Sequence, residues 1–167
     1  MKKIRMIPAV NDAEILGVAA LAEEIWHEHF PPIIGEEQVD YMVEKFQSFD
    51  ALKRQIADGY EYFLISSDYM MVGYTGVTEK DGSLFLSKLY LLKDSRGQHL
   101  STEVFGHLID LAKERKLDKI WLTCNKYNSH SLDVYKHLGF EIVRDEVTDI
   151  GNGFVMDDYI LEYPIHY

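Results

Sequence analysis

The apolar positions in the first third of the chain recur every three or four residues, which is the spacing of amphipathic helices. A strand candidate at Ile4–Ile7 precedes them, and Asp12 can cap the first helix. The apolar face of that helix carries Ile15, Val18, Ala19, Ala22, Ile25 and Trp26. Pro31-Pro32 interrupts it, and helical spacing resumes over residues 36–47 and again over 50–57.

The pattern then becomes typical of β-strands. Three segments rich in aromatic and aliphatic residues follow each other at Tyr60–Ser66, Met70–Val77 and Leu84–Leu92. Turn-forming residues separate them at Ser67-Asp68 and at Lys80-Asp81-Gly82. These features predict an antiparallel meander of three strands.

The last part of the chain alternates between the two periods. A helix is predicted on the stripe Leu100, Val104, Leu108, Leu111 and Ala112, followed by a strand at Lys119–Thr123, a helix over 129–138, and strands at Phe140–Val147 and Phe154–Tyr163. The order β-α-α(-α)-β-β-β-α-β-α-β-β predicts a mixed α/β protein. We find no linker or repeat, so residues 1–167 are expected to form a single domain.

Composition narrows the class of partner. A chain of 167 residues, 47% hydrophobic and 27% charged, is typical of a globular protein with a continuous core. Its formal net charge of −11 argues against general binding to nucleic acid or to an anionic membrane, because both need a basic face. The negative charge would suit a cationic small substrate, but it is equally explained by solubility alone.

Cysteine content and the N-terminus bear on location. The single cysteine, Cys124, excludes an internal disulfide framework and offers no zinc cluster. The basic N-terminal segment MKKIRMIPAV has no apolar run long enough for a signal peptide, and no stretch of about 18 apolar residues occurs. We therefore expect a cytoplasmic protein.

The junction KDSRGQHLS, after the third strand of the meander, has features of an anion site. The first N–H groups of a helix lack intrahelical partners, and the helix dipole favours negative charge there. Gly97 allows close approach of the backbone to an anion, Arg96 can screen its charge, and Ser101 can donate a hydroxyl. An ordinary capped helix is the alternative, because Ser95 with Gln98 three residues later matches a capping box.

A second set of residues occurs about thirty positions later, in the pattern Asn128-x-x-Ser131-x-x-x-Tyr135-x-x-x-Gly139-Phe140. Positions 128 and 135 lie two helical turns apart and share a face, so one can anchor a ligand while the other presents a phenol. The structural alternative makes Asn128 an N-cap, Tyr135 a core aromatic and Gly139 a C-cap.

These two elements, in this order, resemble the motifs of the GNAT superfamily of acyl-CoA N-acyltransferases. The family's pyrophosphate motif, Q/R-x-x-G-x-G/A, falls on Arg96-Gly97-Gln98-His99-Leu100-Ser101, and its motif N-x-x-A-x-x-x-Y-x-x-x-G-F falls on Asn128 to Phe140. The strand ending Leu89-Tyr90-Leu91 resembles the family's cofactor-contacting strand. The resemblance implies a central, mostly antiparallel sheet with a splay between two adjacent strands, flanked by helices.

The pyrophosphate motif departs from the family at two positions. His99 stands where glycine is usual, and Ser101 stands where glycine or alanine is usual. If His99 adopts ordinary helical φ/ψ angles, its N–H still points at the pyrophosphate and only the clearance shrinks. Either side chain can also add a donor.

By resemblance, acetyl-CoA is the co-substrate and would lie between the strand near Leu89–Leu91 and the strand near Trp121–Thr123. Backbone groups of the first strand would pair with pantetheine, and the N–H groups of residues 97–101 would hold the pyrophosphate. The implied cofactor-binding residues are Leu89, Tyr90, Leu91, Arg96, Gly97, Gln98, His99, Leu100, Ser101 and Asn128. No metal is implied, and His27 and His29 do not share a helical face.

The resemblance also implies direct attack of a primary amine on the thioester in a ternary complex, with Tyr135 as the general acid. The base is unresolved; the carboxylate candidates are Glu24, Glu28, Asp157 and Asp158. We expect Cys124 to be a packing residue and not a nucleophile. The acceptor would be a small amine or a peptide amine, with a diffuse likeness to polyamine-acetylating members, and a homodimer is compatible with the family.

A protein of another class fits the same motifs. A GNAT-fold module that binds acyl-CoA without turnover, in a regulatory or interaction role, would explain the missing motif glycine and the absence of a motif-defined base. The intact pair of Asn128 and Tyr135 favours the enzyme.

Overall fold

The computed structural model describes residues 4–167; Met1–Lys3, the start of the basic N-terminal segment, lie outside the described residues. The strands are β1 Ile4–Pro8, β2 Glu61–Ser67, β3 Met70–Lys80, β4 Ser83–Leu91, β5 Lys119–Asn125, β6 Glu141–Gly151 and β7 Phe154–Pro164. The helices are α1 Asp12–His29, α2 Pro31–Ile34, α3 Glu36–Met42, α4 Phe49–Ala57, α5 Leu100–Glu114 and α6 Ser129–Leu138. The predicted mixed α/β order is confirmed.

The strands form one sheet in the order β1-β2-β3-β4-β5-β7-β6. Within residues 4–167 all neighbouring pairs are antiparallel except β4 and β5, which are parallel. That parallel pair matches only at Leu84↔Ile120 and Phe85↔Trp121, after which the two strands separate. The predicted splay between two adjacent strands is therefore present, and it opens toward the C-terminal ends of β4 and β5.

The two faces of the sheet bury separate apolar layers. Leu89 and Leu91 of β4 pack on the α5 side with Val104 and Leu108. The intervening Tyr90 packs in the opposite layer, with α1 and the helices that follow it. This alternation follows from the two-residue period of a strand, and it directs successive side chains near the splay to different sides of the sheet.

The predicted cap of α1 is wrong. Asn11, not Asp12, caps α1: its side chain accepts from the N–H of Glu14, whose own side chain accepts from the Asn11 N–H. Asp12 lies inside the first turn because the reciprocal capping box needs its two members three residues apart. Pro31-Pro32 does not merely end α1, because its fixed φ angles also begin the short helix α2.

The predicted helix over 36–47 has a change of pitch: it is α-helical to Met42 and continues as a π-helical turn at Val43–Gln47. Several strands are longer than predicted, since β3 continues to Lys80 and β6 to Gly151. No helix within residues 4–167 is long and apolar enough to cross a membrane.

Candidate active site

The free edge of β4 faces the splay. The Leu92 N–H donates to the Val72 carbonyl at 2.8 Å, and the Thr75 hydroxyl donates to the Lys88 carbonyl at 2.6 Å, so even-numbered residues are hydrogen-bonded toward β3. Because hydrogen-bonded positions alternate along an antiparallel strand, the backbone groups of Leu89 and Leu91 point toward the splay. These are the two residues predicted to pair with pantetheine.

The N-terminus of α5 lies beside this edge, and no side chain caps it. Lys93–Ser95 form a separate 3-10 turn, and α5 begins at Leu100. The predicted capping box of Ser95 with Gln98 is therefore wrong as a cap of α5; the Gln98 amide instead donates to the Asp94 carbonyl at 2.9 Å. The first-turn N–H groups of α5 are consequently left for a ligand or solvent.

His99 occupies the N-cap of α5 with φ 61° and ψ 17°, the left-handed region. His99 therefore does not adopt the ordinary helical angles considered above. Glycine adopts this conformation without steric cost, and histidine is among the other residues that tolerate it. Gly97 also has positive φ, 74°, with no atom within 4 Å of where a Cβ would stand.

Arg96 is engaged with the protein itself. Its guanidinium forms an ion pair with Glu28 of α1 at 2.7 Å, and its Nε donates to the Leu91 carbonyl at 3.1 Å. Arg96 thus fixes the loop against α1 and the end of β4. The carboxylate of Glu28, one of the four base candidates, is therefore already paired with a guanidinium.

Two concave spaces meet at the splay. The first, which we call the narrow cleft, has a volume of about 60 Å³ and lies between the end of β4 and α6, beside the start of α5. Its lining residues are His29, Leu89, Tyr90, Leu91, Arg96, Ser101, His130, Ser131, Val134 and Tyr135.

The second, which we call the large cavity, has a volume of about 700 Å³. It is enclosed by α1, α3, the splayed parts of β4 and β5, the start of α6 and the β6–β7 hairpin. Residues common to both spaces are Leu89, Tyr90, Ser131 and Tyr135. Tyr135 of α6 therefore lines both the narrow cleft and the large cavity.

Tyr135 projects from α6 and packs edge-on against Phe140, with ring centroids 5.6 Å apart. Burial raises the pKa of its phenol well above the ordinary value, and the nearby Cys124 adds to the shift. The phenol is therefore protonated at neutral pH and can donate a proton or a hydrogen bond.

Asn128 has the structural role that the sequence suggested, and it also faces the large cavity. It caps α6, accepting from the Ser131 N–H at 3.4 Å, while Gly139 ends the helix with φ 108°. His29 of α1 donates to the same Asn128 oxygen at 3.3 Å. Burial lowers the pKa of His29, which favours the neutral imidazole.

The two histidines near the end of α1 do not converge. His27 lies 2.7 Å from Asp40, on a different side of the helix from His29. Within residues 4–167 no three His, Cys, Asp or Glu side chains are arranged to hold a metal ion.

The four base candidates differ in their exposure and in their ion pairs. Glu24 is exposed, Glu28 is paired with Arg96, and Asp157 is paired with Lys126 at 3.0 Å. Asp158 lines the large cavity and is 5% exposed. Burial raises the pKa of this carboxyl to about 6, and the positive charge of Lys88 opposes the shift.

Cys124 of β5 also lines the large cavity. Burial, with a smaller contribution from Asp158, raises the pKa of its thiol to about 12. A thiol that is protonated at neutral pH is a poor nucleophile, which agrees with the expectation that Cys124 is a packing residue.

The sequence of this chain matches a known protein family. The family model described as acetyltransferase (GNAT) family matches residues 18–140. The chain belongs to the GNAT acetyltransferase family. The predicted acyltransferase class is confirmed.

Solved structures share the fold over the full length of this GNAT protein. The PaiA N-acetyltransferase from Thermoplasma acidophilum in complex with coenzyme A is 18% identical, with a TM-score of 0.79 over 98% of this chain and 99% of that one. A probable acetyltransferase from Staphylococcus epidermidis is 20% identical, with a TM-score of 0.75 over 99% and 100%. Spermidine N-acetyltransferase from Vibrio cholerae, in complex with CoA and spermine, is 15% identical, with a TM-score of 0.70 over 98% and 95%.

One charged residue of the site was missed by sequence reasoning. Lys88 of β4 lines the large cavity, where surrounding protein lowers the pKa of its ammonium to about 8 and Asp158 opposes that shift. The side chain of Lys88 is partly exposed, because it lines the open space of the cavity. A signal was present in the sequence: Lys88 is a lysine inside an apolar strand, two residues from Tyr90 and on the same face.

Proposed function

We propose that this GNAT acyltransferase moves an acetyl group from acetyl-CoA to the primary amine of a small acceptor in a ternary complex. The observation that carries the proposal is the position of Tyr135, which lines both the narrow cleft and the large cavity. A thioester in the cleft and an amine in the cavity would meet at that phenol, and proximity of this kind supplies much of the rate of an acyl transfer.

The residues around the narrow cleft fit coenzyme A. The uncapped N–H groups at the start of α5 suit its pyrophosphate, and the open space at Gly97 leaves room for close approach. The free edge of β4 at Leu89 suits the amides of pantetheine; because the Leu91 carbonyl already accepts from Arg96, we restrict the contact at Leu91 to its N–H. Gln98, His99, Leu100 and Ser101 complete the proposed pyrophosphate loop.

The chemistry assigns separate roles to two side chains. Asp158 accepts a proton from the acceptor ammonium, and the neutral amine then attacks the thioester carbon, which forms the N–C bond and a tetrahedral intermediate. The C–S bond breaks as this intermediate collapses, and the amide nitrogen releases its second proton to solvent. Tyr135 donates its proton to the departing thiolate. A backbone N–H of β4 beside the splay stabilises the oxyanion that forms between these events.

The acceptor in this proposal is a small amine. A related fold, the Vibrio cholerae spermidine N-acetyltransferase, was solved with CoA and spermine bound. In this chain, the large cavity has room for an acceptor of that size. A cytoplasmic location and a homodimeric state stay predictions from the sequence.

The experiment is a thiol-release assay with acetyl-CoA over a panel of primary amines, comparing wild type with Tyr135→Phe. Loss of a general acid lowers the rate by about 10²–10⁴-fold, so we expect kcat to fall by at least about 10²-fold. Tyr127→Phe is the matched control, because Tyr127 precedes the same helix and is 71% exposed.

Calorimetry with coenzyme A distinguishes a loss of cofactor binding from a loss of catalysis. Binding that is equal in wild type and Tyr135→Phe, with turnover lost only in the variant, supports the acid role. Unchanged turnover in Tyr135→Phe refutes that role. Coenzyme A binding without turnover on any amine would restore the non-catalytic module.

A further inference from the structure

The large cavity is lined by two oppositely charged side chains, Lys88 and Asp158, that form no ion pair within residues 4–167. Of the described residues, four charged side chains line it: Lys45, Lys88, Asp149 and Asp158. Lys45 donates to the Ile150 carbonyl at 2.7 Å, and Asp149 accepts from the Gly151 N–H at 2.8 Å, so both are engaged with the β6–β7 hairpin. Asp158 belongs to β7 of this hairpin, but within residues 4–167 neither its carboxylate nor the Lys88 ammonium forms an ion pair.

The ammonium of Lys88 has weak partners. Its Nζ lies 3.4 Å from the Ser87 hydroxyl and 6.0 Å from the ring centroid of Trp26. No carboxylate among residues 4–167 lies within the salt-bridge distance of 4.0 Å. An ammonium enclosed by protein is costly unless an anion compensates it, so the cavity favours a ligand that brings one.

Asp158 faces the same space from the other side of the splay. Lys88 is on β4 and Asp158 is on β7, and β5, which separates from β4 after Phe85, lies between them. The two groups influence each other's ionisation without direct ion-pair contact. Because both groups line the same cavity of about 700 Å³, one ligand in it could place an ammonium at Asp158 and an anionic group at Lys88.

The remaining wall of the large cavity is mainly apolar. Trp26, Phe30 and Tyr90 form an aromatic cluster, with ring centroids between 4.4 and 5.7 Å apart. This wall suits a carbon body between two polar ends. An extended polyamine would instead bring a second ammonium toward Lys88, where like charges repel.

We infer that the acceptor carries an anionic group beside its reactive amine, as an amino acid does, and that Lys88 is the counter-ion that selects it. This rests on the proposed function for the identity of the reactive amine. It differs from the expectation of a purely cationic substrate, because the charges inside the cavity balance although the whole chain is acidic.

Binding is tested first, independently of catalysis. Calorimetry in the presence of coenzyme A compares pairs of acetylated probes that differ at the anionic group: N-acetylphenylalanine with N-phenethylacetamide, and N-acetyl-4-aminobutyrate with N-acetylputrescine. A third pair, N-acetylphosphoethanolamine with N-acetylethanolamine, distinguishes a phosphate from a carboxylate. We expect the anionic member of at least one pair to bind about tenfold tighter, equivalent to about 1.4 kcal/mol.

Variants of Lys88 test whether this residue causes the preference for anionic probes. Lys88→Met should abolish the ratio between paired probes, and Lys88→Arg should keep part of it, because the charge is retained. Lys113→Met, at an exposed position in the last turn of α5, is the matched control and should leave the ratio as in wild type. Equal affinities within every pair, no binding by any anionic probe, or an equal loss for both members in Lys88→Met would each overturn the inference.

Turnover then separates this inference from the proposed function. The parent amines, including spermidine and putrescine, are compared by kcat/KM for thiol release. A binding preference with no turnover on any amine would contradict the proposed function and leave the inference standing. Efficient turnover of polyamines with no preference for anionic amines would contradict the inference and leave the proposed function standing.

Discussion

The narrow cleft and the large cavity are built in different ways. The cleft depends on backbone groups: the edge of β4, the uncapped start of α5, and a loop with two left-handed residues, Gly97 and His99. The cavity depends on side chains that arrive from helices and strands far apart in sequence, such as Trp26, Lys88 and Asp158. Backbone sites tolerate changes of side chain as long as φ and ψ are kept, whereas a side-chain site changes its specificity with single substitutions.

The largest effect is expected in the large cavity, from Asp158→Asn. Removing a general base lowers kcat/KM by about 10²–10⁴-fold, and the asparagine cannot accept the proton. Asp157→Asn is the control, because the neighbouring carboxylate pairs with Lys126 outside this cavity. Steady-state kinetics with any amine that is turned over gives the answer; comparable losses in both variants would argue against Asp158 as the base.

The pH profile tests the same residue. Burial, together with Asp157 and Glu146, raises the pKa of Asp158 to about 6, and Lys88 opposes the rise; Cys124 of β5 faces the same carboxyl with a protonated thiol. A base must be deprotonated, so kcat/KM should fall as the pH drops through about 6 and level off above it. A wild-type profile without an acid limb between pH 5 and 8 would contradict the assignment.

The next effect is expected in the narrow cleft, from Gly97→Val. A β-branched residue at φ 74° costs about 1–3 kcal/mol, so we expect the loop to shift and the affinity for coenzyme A to fall about tenfold or more. Gly82→Val is matched, because Gly82 has φ 79° and equally open space in the β3–β4 turn, away from the cleft. Calorimetry with coenzyme A should show weaker binding only in Gly97→Val.

A smaller effect of opposite sign is expected from His99→Gly. If the pyrophosphate is held by backbone N–H groups, glycine preserves the left-handed N-cap and the affinity for coenzyme A is unchanged or higher. Lys116→Gly, at φ 58° beyond the end of α5, controls for the general effect of glycine at a left-handed position. A marked loss of affinity confined to His99→Gly would show that the imidazole itself contacts the phosphates.

The smallest effect is expected from Cys124→Ala. A protonated, buried thiol acts as a small apolar group, so kcat should change by no more than about threefold, less than about 1 kcal/mol. Loss of nearly all turnover, or a burst of thiol release before steady state, would instead indicate an acyl-cysteine intermediate.

The order of elements was predictable because hydrophobic periodicity is a local property. The three strands of the meander and the helix on the stripe Leu100 to Ala112 were located from spacing alone. An error occurred where local signals competed: Ser95 has the chemistry of a cap, but it ends a 3-10 turn, and His99 is the N-cap of α5. A left-handed histidine leaves no mark in a hydrophobic pattern.

The sequence by itself determined the mixed α/β fold and the positions of Tyr135 and of the loop that we propose for the pyrophosphate, because consecutive residues and fixed spacings encode them. Only the tertiary structure decided which of the four base candidates lines the large cavity, that Arg96 is paired with Glu28, and that Lys88 and Asp158 line the same cavity. Those relations join residues as much as seventy positions apart along the chain. They depend on sheet order and on where β4 and β5 separate, which no local pattern specifies.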